Sequence, residues 1–108
     1  MLKIKMDSAQ ARRALTATQV VANLAQLEGW ALTGSNASVA IEKTFSFANY
    51  YETIAFINAI AFIAHKYDHH PDLSVQFSRC VIRLNTHDAG GISMTDFEYA
   101  AQVEALLT

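Results

Sequence analysis

The residues best suited to chemistry in this chain are three histidines, His69, His70 and His87. Imidazole titrates near neutral pH, so it can give or take a proton there. Asp68, Asp88 and Asp96 lie close to them in sequence. Such a set suits acid–base work on a polar heterocycle, provided the fold gathers it in one place.

The stretch between the histidines supplies a reason for it to do so. Residues 73–77 and 80–86 read as paired strands. A turn centred on Ser78-Arg79 sets Phe77 against Cys80, Val75 against Ile82 and Leu73 against Leu84, all apolar. The other face sets Ser74 against Arg83 and Asp72 against Asn85, all polar. One face is buried and one is wet, as a half-exposed antiparallel pair requires. Extended past the strand ends, this register puts His70 opposite His87, with Cβ atoms about 5 Å apart.

Other readings of the same residues stand beside this one. A His-His pair in a loop, taken alone, is more often an exposed turn. Three histidines and a carboxylate also make a zinc-type donor set. No Cys-x-x-Cys spacing supports that reading, and no metal is expected. Thr86 and Ser93 carry hydroxyls, but Thr86 reads as a strand end and Ser93 as a helix cap. Gly90-Gly91 is too short for a phosphate-binding loop. His65 falls near a helix C-terminus, where a cation is favoured.

The elements that must position these groups follow in a readable order. Residues 8–27 read as a helix, Ala-rich with Val20, Val21, Leu24 and Leu27 at helical spacing and Gly29 as its stop. Residues 30–32 and about 38–47 read as a strand pair around a Gly34-Ser35-Asn36 turn, with a slip in alternation near Lys43. Asn49 and Glu52 resemble a capping box for a helix that runs to about Tyr67. That helix is apolar nearly all round, which predicts cover on more than one side and the deepest burial in the chain. Pro71 forces a turn after it. Ser93 and Asp96 form a second capping box, opening a last helix to about Leu106. The order α-β-β-α-β-β-α predicts an α+β fold, an antiparallel four-stranded sheet with helices packed on one face. Trp30, Phe45 and Phe47 read as core, while Tyr50 and Tyr51 fit core or surface.

Length and composition set the outer limits. The 108 residues make one domain with one core. Net charge is -2 and the longest basic run is Arg12-Arg13, which argues against phosphate-backbone binding and against a membrane surface. The one cysteine, Cys80, excludes an internal disulfide and reads as a small core residue. Met1 to Lys5 shows no signal peptide, and the apolar stretch 54–64 is too short to span a bilayer. A cytoplasmic protein is expected. The hydrophobic share of 52% slightly exceeds the usual one, leaving some apolar surface for a partner subunit to cover.

Taken together, Glu28-Gly29-Trp30, Phe45-x-Phe47, Asp68-His69-His70-Pro71, Thr86-His87-Asp88-Ala89-Gly90-Gly91 and Ser93-x-x-Asp96 resemble the pterin-4a-carbinolamine dehydratases. The resemblance covers roughly residues 27–107. The two histidine segments, with Thr86 fifteen residues after Pro71, are specific as a pair. The resemblance implies dehydration of a 4a-hydroxytetrahydropterin to quinonoid dihydropterin, with no metal or organic cofactor. It makes His69, His70 and His87 the substrate-site histidines, with Pro71, Thr86, Asp88 and Ala89 as flanking binding positions and Asp96 as a carboxylate near the site. It assigns His69 and His87 to proton transfer and His70 to holding the pterin. It also implies a homodimer or homotetramer and a link to an aromatic amino acid hydroxylase that supplies the substrate. Leu73 stands where many relatives have Trp, and His65 where some have Glu. A non-catalytic pterin-binding or dimerisation partner of the same fold is the alternative function, and a small metalloprotein is a third.

Overall fold

The computed structural model describes residues 8–108. The reading of Met1 to Lys5 lies outside them. The chain runs α1 (Ser8–Ala11), α2 (Ala17–Leu24), β1 (Ala31–Thr33), β2 (Ala40–Ser46), α3 (Tyr50–Tyr67), β3 (Asp72–Gln76), β4 (Arg79–Leu84) and α4 (Met94–Leu106). Short 3-10 turns at Asn36–Ser38 and His87–Ala89 complete it. The four strands form one antiparallel sheet in the order β1-β2-β4-β3. This is the expected α+β fold, with α3 and α4 against each other and α3 against β3 and β4.

The predicted helix over 8–27 is two helices. Thr16 opens the second: its hydroxyl accepts from Gln19 N at 3.2 Å, and Gln19 Oε1 accepts from Thr16 N at 2.9 Å. This capping box satisfies donors that a continuous helix would have used internally. Leu15 N donates to Ile92 O at 2.8 Å, tying the break to the rest of the fold.

The sheet's inner face carries Ile41, Phe45, Cys80, Ile82 and Leu84, all buried. Ile60 and Ile63 of α3 and Ala100 and Val103 of α4 close over it. Lys43 sits between Ile41 and Phe45 on this face, which explains the slip in alternation. Its ammonium leaves the core by reaching Glu104 at 2.7 Å and Glu28 O at 3.0 Å. Trp30 Nε1 donates to the same Glu104 carboxylate oxygen at 2.9 Å. Trp30 and Phe45 are core as expected and Phe47 is half-buried, whereas Tyr50 and Tyr51 are exposed.

Two expectations need correction. The helix α3 is covered on one side only, by the sheet and α4. Thr53, Phe56, Ile60, Ile63 and Ala64 face inward, while Phe62 is 70% exposed. With all helices on one face of the sheet, nothing among the described residues lies above the outer side of α3. The most buried helix is α4, which buries Thr95, Asp96, Phe97, Tyr99, Ala100 and Val103.

The hairpin register also differs. Leu73 pairs with Ile82 and Val75 with Cys80, two residues from the expected register. The turn is the two-residue Phe77-Ser78, closed by Gln76 opposite Arg79. A slip of two leaves every side chain on its expected face, because the strand period is two. The apolar pattern could therefore fix the faces but not choose between these registers.

Among the described residues no helix is long and apolar enough to cross a membrane.

Candidate functional site

The site forms where α3 ends, β3 begins and β4 runs out. Asp68 caps α3 in the left-handed conformation (φ 49, ψ 47), and His69 N returns to Ala64 O at 3.1 Å. A left-handed residue just past a helix satisfies its last carbonyls and reverses the chain. The helix thus stops at Tyr67, four residues before Pro71, and the turn throws His69 inward and His70 outward.

His69 is 6% exposed. Its Nε2 lies 2.5 Å from Asp96 Oδ1. Its ring meets Tyr99 edge-on, with centroids 6.3 Å apart. Asp96 is fully buried at the start of α4. Its other oxygen accepts from Ser93 N and from Thr86 Oγ1, both at 2.9 Å. Since Thr86 gives its hydrogen to the carboxylate, Ser93 Oγ donates to Thr86 Oγ1, 2.5 Å away. One carboxylate thereby caps α4, fixes the end of β4 and holds His69. Among the described residues no buried side-chain nitrogen or oxygen lacks a partner.

His87 opens the 3-10 turn that follows Thr86. Thr86 N donates to Gly91 O at 2.8 Å, and Gly90 takes φ 67 to close the loop. The pairing stops at Asp72 opposite Arg83, and carried past it this register would set His70 level with Asn85 rather than with His87 as expected. The histidines meet by another route. A cavity of about 380 Å³ is lined by Arg12, Asp68, His69, His70, Asp72, Arg83, Asn85, Thr86, His87 and Asp88. That volume falls in the range of small-molecule sites.

Of the positions singled out in the sequence, His69, His70, Thr86, His87 and Asp88 border this cavity. Pro71, Ala89 and Asp96 do not. Asp96 stands behind His69 and Thr86 and reaches the cavity only through them. Arg12, Asp72, Arg83 and Asn85 were not singled out. The sequence does contain the signal for three of them, since Asp72, Arg83 and Asn85 share the wet face of the hairpin. Arg12 comes from the break between α1 and α2, which the single-helix reading hid. Arg83 is partly spent elsewhere, donating to Thr33 Oγ1 at 2.6 Å and Ser38 O at 2.5 Å.

His70 and His87 are exposed, so their rings are open to a ligand. Tyr99 is not: its hydroxyl donates to Ile60 O at 3.0 Å, and burial pushes its phenol well above the ordinary range. Tyr67 is raised in the same direction by burial and then by Glu98. Among the described residues no group of three or more His, Cys, Asp or Glu is placed to hold a metal ion. Chemically the cavity offers imidazoles, carboxylates and two guanidinium groups around a space for one polar ring system.

Comparison with known proteins gives a consistent picture. Residues 13–106 match the family described as pterin 4 alpha carbinolamine dehydratase, a match that begins fifteen residues before the first motif, Glu28-Gly29-Trp30. A protein of Paracidovorax citrulli, provisionally named a pterin-4-alpha-carbinolamine dehydratase, is 65% identical over 99% of this chain and 92% of its own length. A Bdellovibrio bacteriovorus protein with the same provisional name is 49% identical over 87% of this chain and 78% of its own. The crystal structure of a transcriptional coactivator/pterin dehydratase from Brucella melitensis superposes with a TM-score of 0.83 at 27% identity, covering 89% of this chain and all of that one. A pterin dehydratase-like protein identified as a RuBisCO assembly factor in the alpha-carboxysome superposes with a TM-score of 0.62 at 25% identity, over 73% of this chain and 89% of that one. With a match that spans nearly its whole length and a relative this similar, the chain belongs to the pterin 4 alpha carbinolamine dehydratase family.

Proposed function

We propose that this protein dehydrates a 4a-hydroxytetrahydropterin to quinonoid dihydropterin by histidine acid–base catalysis. The C4a–O bond breaks, N5 loses its proton, an N5=C4a double bond forms, and hydroxide leaves as water. The step needs an acid at the hydroxyl and a base at N5. His69, His70 and His87 are the imidazoles available, with Thr86 and Asp88 beside them as binding groups and Asp96 behind. Pro71 and Ala89 act as backbone supports of the two histidine segments. The observation that carries the reading is the convergence of three histidines on one polar cavity in a chain of this family.

Turnover of an aromatic amino acid hydroxylase is the proposed source of the substrate. A homodimer or homotetramer is proposed from exposed apolar side chains on α3, β3 and the turn after it: Phe62 is 70% exposed, Phe77 69% and Val75 43%.

The test is the decay of 4a-carbinolamine absorbance while a hydroxylase consumes tetrahydropterin. Added protein is expected to speed the decay in proportion to its concentration. Decay at the uncatalysed rate would exclude the reading. The alternative is a pterin-binding or partner protein without turnover, and the deep burial of His69 is the observation that favours it. It predicts pterin binding with no acceleration.

A further inference from the structure

Arg12 lies one residue before the family match begins and enters the cavity from the break between α1 and α2. The backbone around it is pinned on both sides. Thr95 Oγ1 donates to Ala11 O at 3.1 Å, and Leu15 N donates to Ile92 O at 2.8 Å. The guanidinium is thereby aimed at the end of α3. Its Nη2 donates to Tyr67 O at 2.6 Å and to Asp68 O at 3.1 Å. These are carbonyls at a helix C-terminus, unsatisfied within the helix and at the negative end of its dipole, where a cation is favoured.

The same guanidinium places Nη1 3.5 Å from His69 Nδ1. Arginine has donors and no acceptor. The nitrogen it faces must therefore accept, and the ring hydrogen lies on Nε2, pointing at Asp96 Oδ1 2.5 Å away. Both ring nitrogens of His69 are then engaged by protein. Those of His70 and His87 have no protein hydrogen-bond partner among the described residues, and both rings are exposed at the cavity.

We propose that Arg12 is a positioning residue that fixes His69 in the Nε2–H tautomer and docks the break between α1 and α2 on the end of α3. Its effect on turnover rests on the dehydratase reading. The tautomer assignment does not.

The experiment compares wild type, Arg12→Lys and Arg12→Met by nitrogen-15 NMR of labelled histidine, with dehydration kinetics on the same samples. Wild-type His69 is expected to show a hydrogen on Nε2 and an acceptor signature on Nδ1. In Arg12→Met the Nδ1 signal shifts, and kcat falls about tenfold or more while KM changes little. Arg12→Lys restores part of both, because a point donor cannot span two carbonyls and a ring as a planar fork does. A wild-type His69 protonated on Nδ1 overturns the proposal. So do His69 signals unmoved by both substitutions, or a kcat unmoved by both. If Arg12→Met fails to fold, Arg12→Lys decides alone. No turnover in the wild type removes the dehydration reading, and the nitrogen shifts still decide the tautomer.

Discussion

His69 Nε2 and Asp96 Oδ1 lie 2.5 Å apart, and both side chains are buried. The pair joins the end of α3 to the start of α4, so the geometry of the site is tied to the packing of two helices. Asp96 also accepts from Ser93 N and Thr86 Oγ1. Replacing it with Ala leaves three donors without a partner and removes a helix cap. Each buried orphan costs about 1–3 kcal/mol, and a lost cap about 1 kcal/mol. We expect Asp96→Ala to lose about 3 kcal/mol or more in urea denaturation, together with dehydratase activity. A loss below about 1 kcal/mol would show that the carboxylate is not holding these groups.

Tyr99 offers a contrast within the same core. Tyr99→Phe keeps the ring that meets His69 and removes only the hydroxyl bonded to Ile60 O. The expected cost is about 1–2 kcal/mol of stability, with kcat unchanged. A large fall in kcat would place the phenol in the chemistry.

Burial raises the ionisation of Tyr67, Cys80 and Tyr99 above their ordinary values. For each, the folded chain holds its proton more tightly than the unfolded one. The stability they contribute is complete below the ordinary values, 9.0 for cysteine and 10.0 for tyrosine, and is lost as pH climbs through the raised folded ones. The urea midpoint should therefore fall as pH rises above 9.0, the ordinary cysteine value. Cys80→Ala should flatten the first part of that fall. A midpoint that rises over this range would contradict the assignment.

The apolar surface on α3 and β3 makes a prediction about assembly. Phe62→Asp and Phe77→Asp should each lower the mass measured by sedimentation at micromolar concentration, with the fold intact by circular dichroism. A wild type that already sediments as a monomer would refute the oligomer.

Much of this was legible in the sequence, for physical reasons that differ by element. Ser93 and Asp96 announced α4, and Asn49 with Glu52 announced α3, because caps are local chemistry. Alternation fixed which side of the sheet the residues of β3 and β4 take, but only β4 buries its apolar side, since Leu73, Val75 and Phe77 on the sheet edge are exposed. It did not fix their register, since Leu73 finds an apolar partner in either Ile82 or Leu84. The break at Thr16 was written in Thr16-x-x-Gln19, but the Ala-rich helical spacing around it masked the cap. Arg12 was hidden for that reason, and because its partners, the carbonyls of Tyr67 and Asp68, are backbone atoms that carry no sequence signature. The depth of Asp96 was hidden too, because its contacts span three elements. The outer face of α3 looked buried because its apolar residues run all round, and sequence does not say which of them the fold leaves exposed.

The central claim is that the histidine-lined cavity dehydrates a pterin, and His87 tests it most directly. Its side chain is exposed, so His87→Ala should leave the fold unchanged. The measurement is the rate of 4a-carbinolamine loss with wild type and His87→Ala at equal concentration. Acceleration by the wild type, and a loss of about a hundredfold or more in the variant, is the predicted result. Equal rates for the two proteins, or no acceleration by either, would contradict it.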